Sequence, residues 1–442
     1  MHPLLVPYSP LPYSLDIRLS RCIIRSMRML RNGAVILGVR FILPLMLSAQ
    51  TFTTLYTFGS QTYDGANPQG GAVLGPQGEL YGITAYGGRW DHGTVYELVP
   101  PASPGGAWTE VVLHSFSADG LNPSLGLVMG PNGSLYGVAG PQSTREVAFK
   151  LDPPAGTSTD WTYIVIYQFT QADGNPSGGL VFGSPLGYGQ SLYGSTDVPN
   201  GKGTVFRLTP PSLAGGAWTQ TTLYTFPGGS MGSIPVGSLA AGLGGALFGM
   251  TTDGGRINEF CPIGCGTVFS LTPPAAPGGP WTEEVLHALA PKVDGNDPEA
   301  GMVIGPGGVL YGATQVNGSE GGGTVFSLTP PTVPGTPMTE SILHAFGLAP
   351  ADHDPSALVL GPNRVLYGTT ELGGASNYGA VFELAPPASP GGSWTGTILH
   401  SFTDGADGRA PSGIALGPDG TLYGTALTGG TNSVGTVFVL TP

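Results

Sequence analysis

Charge is scarce in this chain. Asp, Glu, Lys and Arg make up 10 % of its 442 residues, against about 25 % in an average soluble domain. There are no long runs of like charge, which excludes a solvated polyelectrolyte coil as the main body. Cysteine is nearly missing too: Cys22, Cys261 and Cys265 are the whole set. Three thiols cannot staple a chain of this length, so its core must come from packed apolar side chains. Beyond residue 50 no stretch keeps apolar residues at a 3.6-residue period, which excludes helical bundles and helical repeats. No nucleophile elbow, zinc-binding helix, phosphate loop or calcium loop occurs, so the sequence selects no catalytic residue.

Glycine and proline are abundant, with 75 and 43 residues. They punctuate short bursts of Val, Leu, Phe and Tyr rather than forming a low-complexity tract. A Leu-Tyr-Gly or Leu-Phe-Gly signature recurs with its ring at Tyr81, Tyr136, Tyr193, Phe248, Tyr311, Tyr367 and Tyr423, in steps of 55, 57, 55, 63, 56 and 56 residues. After it comes Gly-Thr-Val-Phe or a close variant, as at residues 266–269 and 323–326. Each unit reads as four short strands bounded by Gly, Pro, Asp or Asn, with Pro131-Asn132-Gly133, Pro306-Gly307-Gly308 and Pro418-Asp419-Gly420 as tight hairpin turns.

A unit of this size cannot cover two sheet faces by itself, so neighbours must cover them, and a ring does so without leaving ends. The expected fold is all-β: a seven-bladed β-propeller with four-stranded blades over residues 50–442. The last unit ends at its third strand, whereas residues 50–58 align with the fourth-strand stretch Trp108–Phe116. The N-terminal strand is therefore expected to join the last blade and close the ring, sparing it an open sheet edge.

Residues 1–49 differ from the rest. Six arginines, an apolar run from Ala34 and a small residue before Gln50 read as a signal peptide cleaved after Ala49, with Met27 or Met29 as alternative starts that would give a leader of ordinary length. Arg40 interrupts the run, so no membrane span is expected in the mature chain. Removing the leader takes six basic residues and one acidic residue, leaving nine basic and 27 acidic residues and a net charge of −18. Nucleic acid is thereby disfavoured as a partner. A secreted or periplasmic monomer is expected.

The repeated Leu-Tyr-Gly-Thr-Thr of residues 366–370, the Gly-Gly of 373–374, the Gly-Thr-Val-Phe strands and Asp64-Gly65-Ala66-Asn67-Pro68 together resemble the bacterial GloVer tandem-repeat family, some of whose members carry a C-terminal anchor. The resemblance covers nearly everything from residue 51. It implies an exported repeat protein and no particular reaction. The chain stops at Pro442 without an attachment tail, so release is expected rather than anchoring.

Several residues stand out chemically. Cys261 and Cys265 lie in a loop running 18 residues from the signature ring to the third strand, against 10 to 12 in the other units. For an exported chain they are expected to form a disulfide. His114, His287, His344 and His400 share one fourth-strand position with Tyr56, Tyr167 and Tyr224; blades apart, they cannot converge on one ion, and a half-buried ring with a polar tip is the expectation. Trp108, Trp161, Trp218, Trp281 and Trp394 start the same strand and are expected to pack between blades. The turn acids Asp64, Asp119, Asp173, Asp294, Asp354 and Asp407, with Trp90, Asp91 and His92, are expected to share one face of the ring, where they are the candidate ligand-binding set. Turn formation accounts for the aspartates equally directly. No cofactor is implied. A divalent cation, a glycan or an extracellular protein suits the acidic face, so a binding or scaffold protein is expected, with a secreted polysaccharide hydrolase or lyase as alternative.

Overall fold

The computed structural model describes residues 50–441 apart from 104, 118–121, 141–145, 157, 184–189, 198–200, 214, 277, 334, 349–352 and 390. The leader lies outside the described residues. Seven separate antiparallel sheets follow one another along the chain, and together they form a seven-bladed β-propeller.

Blade 1 shows the construction. Its strands Gly65–Leu74, Leu80–Gly87, Thr94–Val99 and Thr109–Ser115 pair in chain order from the axis outward. The two middle strands are buried along most of their length on both faces, because a neighbouring blade covers each face. This is why they read as apolar runs rather than alternating patterns. The outer strand is more exposed. In blades 3 and 5 the innermost strand is broken into two short pieces.

The core is divided by seam. Seven apolar clusters each draw on adjacent blades: Tyr81, Ile83 and Val95 with Leu135 and Phe149 at the first seam, for instance, and Val381 and Phe402 with Leu422 and Phe438 at the sixth. The repeated tryptophans lie at these seams, each against the signature tyrosine of the preceding blade: Tyr81 with Trp161, Tyr136 with Trp218, Tyr193 with Trp281 and Tyr311 with Trp394. Near the axis the blades meet backbone to backbone. A Cβ added to Gly413 would come within 2.2 Å of the Gly71 nitrogen, so glycine is required at that contact.

The ring closes as the repeat register requires. Thr51–Thr57 lies antiparallel on Thr436–Thr441, with Thr51 opposite Thr441 and Phe52 opposite Leu440. Blade 7 thus takes three strands from the end of the chain and one from its beginning. Phe58, just past this strand, is fully buried and packs edge-on against Tyr96 of blade 1 at 5.1 Å. Cys261 and Cys265 are disulfide-bonded with Cα atoms 5.2 Å apart, and both pack in the core of the fourth seam with Met250 and Leu289. Among the described residues no helix is long and apolar enough to cross a membrane.

Candidate functional site

The repeated acids and the repeated rings are partners. A bulge in each outer strand falls beside the ring residue, which pairs with the Val of Gly-Thr-Val-Phe: Val268 with His287, Val381 with His400, Val437 with Tyr56. The chain then turns toward the next blade, and the aspartate of that turn reaches back. Asp64 accepts hydrogen bonds from the Tyr56 hydroxyl at 2.9 Å and the Ser60 and Gln61 amides at 2.8 and 3.3 Å. Asp173 accepts from the Tyr167 hydroxyl at 3.0 Å and the Thr170 amide at 2.8 Å. Asp407 takes the Thr403 amide at 3.0 Å and pairs with His400 Nε2 at 3.1 Å. Asp294 is fully buried, accepts the Ala290 amide at 2.6 Å and bonds His287 Nε2.

These carboxylates satisfy amides that the turn would otherwise leave open. His and Tyr interchange because either can present a donor to the same carboxylate. The constant separation of six to eight residues between ring and acid carried this pairing in the sequence. Asp119 lies outside the described residues. Asp354 occupies a different place, immediately before Pro355 in the left-handed region with φ of 60°, where it pairs with His353 Nδ1 at 3.2 Å. Trp90 and Asp91 are exposed on the loop joining the second and third strands of blade 1. Arg89 lies over the Trp90 ring at 4.9 Å, Asp91 accepts the Gly87 amide at 2.9 Å, and the His92 carbonyl accepts the Asn122 amide.

At two seams a glutamate from the next blade joins the pair. Glu340 Oε1 stands 3.5 Å from His287 Nε2, and one ligand atom each from His287, Asp294 and Glu340 lie within 4.8 Å of one another. Burial and the nearby Asp294 raise the Glu340 pKa. This is the one group of three His, Cys, Asp or Glu among the described residues that could hold a metal ion. At the seam between blades 7 and 1 the same positions are Tyr56, Asp64 and Glu110; burial and Asp64 raise Glu110 as well.

A different polar set surrounds the axis. A chamber of 340 Å³ is lined from five blades, with Gln69, Ser124, Glu299, Ser356, Glu371 and Ser412 as its polar side chains. Glu299 and Glu371 are exposed to it. Gln315 donates to Glu299 at 2.9 Å. Partial desolvation, then Glu299 and Asp354, raise the Glu371 pKa. No basic side chain is among the described lining. Burial and Asp297 likewise raise the Asp253 pKa.

Sequence reasoning missed Glu299 and Glu371 because neither belongs to the repeated letters. The available signal was variability within an otherwise constant frame. The residue after Leu-Tyr-Gly-x-Thr or its equivalent is Ala85, Gly140, Asp197, Thr252, Gln315, Glu371 and Leu427 in the seven successive units. Four of these, Gly140, Asp197, Glu371 and Leu427, line cavities.

No curated protein matches the chain. Solved structures similar to it include a periplasmic gluconolactonase from Pseudomonas aeruginosa, at 16 % identity and TM-score 0.47 over 81 % of this chain and 91 % of that one. A protein of unknown function from Dyadobacter fermentans DSM 18053 matches at 11 % identity and TM-score 0.42, over 89 % and 99 %. The extracellular domain of a chain named as a hybrid two-component system from B. thetaiotaomicron matches at 10 % identity and TM-score 0.50, over 88 % of this chain and 39 % of that one. These likenesses concern the fold alone. The family described as the Gloeobacter/Verrucomicrobia repeat matches over residues 30–260, 147–352 and 262–442. The chain belongs to the Gloeobacter/Verrucomicrobia repeat family.

Proposed function

We propose that this is an exported β-propeller that binds a cation or a cationic group at the mouth of its channel. The observation that carries the reading is the chamber itself, where Glu299 and Glu371 are open to solvent and no basic side chain among the described lining neutralises them. A cation there would offset the partial desolvation, and then the Glu299 and Asp354 charges, that raise the Glu371 pKa. The buried acids of the outer seams are already bonded to turn amides and rings, which makes them supports rather than ligands. Calorimetric titration of the purified chain with calcium and magnesium is the test. Binding lost in Glu299→Gln/Glu371→Gln and kept in Asp173→Asn is expected; binding unchanged in the double variant overturns the proposal.

The unlike character of the lining favours one second reading, a secreted hydrolase or lyase acting on polysaccharide, since catalysis assembles unlike groups in one pocket. In that reading Glu371 carries activity. Release of reducing ends from a panel of cell-wall polysaccharides, abolished by Glu371→Gln, would select it over binding.

A further inference from the structure

The seam between blades 2 and 3 breaks the repeat at a point where four of the other seams are sealed by a proline. Six blades place glycine immediately before the Thr-Val or Ala-Val of the third strand, at Gly93, Gly203, Gly266, Gly323, Gly379 and Gly435. A Cβ on Gly203 would meet Pro235 Cδ at 2.2 Å, one on Gly379 would meet Pro411 Cδ at 2.5 Å, and one on Gly435 would meet Pro68 Cδ at 2.4 Å. The proline of one blade is thus seated directly on the glycine of the blade before it. Blade 2 has Glu146 in that place. Its neighbour has adjusted, since Pro176 follows Asp173 by three residues whereas Pro68 follows Asp64, and Pro411 follows Asp407, by four. The hydroxyl pair that ties the second and third strands in blades 1, 3, 4 and 5, such as Thr84 with Thr94 at 2.9 Å and Thr196 with Thr204 at 2.7 Å, is replaced in blade 2 by Ala139 opposite Val147.

Where the seal is missing there is a cavity of 200 Å³ that reaches to blade 4. Leu125, Val138, Ile234 and Val236 form its apolar wall, and Glu146 and Asp197 its acidic end. Glu146 is only 6 % exposed, and its Oε2 atom has no hydrogen-bond partner; nor has Asp197 Oδ1. A buried carboxyl without a donor is costly. Burial and Asp197 push Glu146 up to about 8. Among the described lining no basic side chain compensates the pair.

We propose that this cavity is a binding site for a small organic cation, a primary ammonium carried on a short aliphatic stem. The ammonium supplies the donors that Glu146 and Asp197 lack, and the stem covers the apolar wall. An organic cation fits better than a divalent metal, which needs several converging oxygen ligands; the only close group of three His, Cys, Asp or Glu among the described residues is at His287. The site is separate from the axial chamber, although Ser124 touches both.

The test is calorimetric titration of the purified chain with n-butylammonium, using n-butanol as the uncharged probe of the same shape. Saturable binding of the ammonium is expected, at least tenfold weaker in Glu146→Gln and in Asp197→Asn, and unchanged in Asp407→Asn. Glu146→Gly, which restores the residue found in the other blades, is expected to abolish it. The conservative glutamine variant keeps the test decisive should the glycine variant fold poorly. No saturable binding at millimolar butylammonium, equal binding of butanol, or binding that survives Glu146→Gln but is lost in Glu371→Gln would each overturn the proposal.

Discussion

The outer seams and the channel are cut from the same repeat, yet they use their acids in opposite ways. At the rim, Asp64 and Asp294 are buried, and each accepts a turn amide and a ring donor from its own connection. At the axis, Glu299 and Glu371 are exposed and lie in a chamber with no basic side chain in its described lining. The rim residues recur because at least four blades make the same connection, and recurrence there records a folding requirement. The axial residues vary because only one chamber exists. In a repeat protein, then, the repeated polar residue points to structure, and the polar residue that departs from the repeat points to function.

The largest expected effect lies at the rim. Deleting residues 50–58 removes the strand that covers Thr436–Thr441 together with fully buried Phe58 and the nearly buried Tyr56. Each buried aromatic lost from a core costs about 3–5 kcal/mol, and a whole domain is stable by about 5–15 kcal/mol. The truncated chain should show no cooperative thermal transition by circular dichroism, or one lowered by more than about 10 °C. A melting curve like that of the intact chain would mean that the first strand is an ornament and the closure argument is wrong.

Next in size is the loss of one turn acid. Asp64→Ala removes the buried acceptor shared by the Tyr56 hydroxyl and the Ser60 and Gln61 amides, for an expected loss of about 2 kcal/mol in urea denaturation. The equivalent change at Asp407, which is more exposed, should cost less. If Asp64→Ala falls within about 0.5 kcal/mol of the parent chain, in the range of ordinary surface changes, the distinction between rim and axis disappears.

The strands, their order and the closure register could all be read from the sequence, because short apolar runs, turn residues and the offset of Trp108–Phe116 against residues 50–58 are local signals. The disulfide was legible from an over-long loop. The partnership of Asp64 with Tyr56 was within reach but needed the bulge and the turn to be seen together. Glu340 beside His287 was out of reach, since nothing local tells which side chains of two adjacent blades face one another across a seam. Glu146 was hidden for another reason. The units were aligned on Leu-Tyr-Gly, and a single glutamate in a glycine position reads as noise until the proline opposite it is known.

The smallest effect on stability should come from the axis. The folded-state pKa of Glu371 is raised by partial desolvation and by Glu299 and Asp354, so the folded protein holds that proton more tightly than the unfolded chain. The stabilising contribution is then fully present below the unfolded carboxylate value of about 4.3 and is lost as the pH rises through the higher folded value. Glutamine cannot ionise and escapes the loss. Glu371→Gln should therefore melt with the parent at pH 4 and about 1 °C above it at pH 8, the carboxyl being exposed and its repulsion screened by solvent. A marked loss of stability at both pH values would show that Glu371, like the rim acids, holds the fold together, and the chamber would then lose its claim to be the functional site.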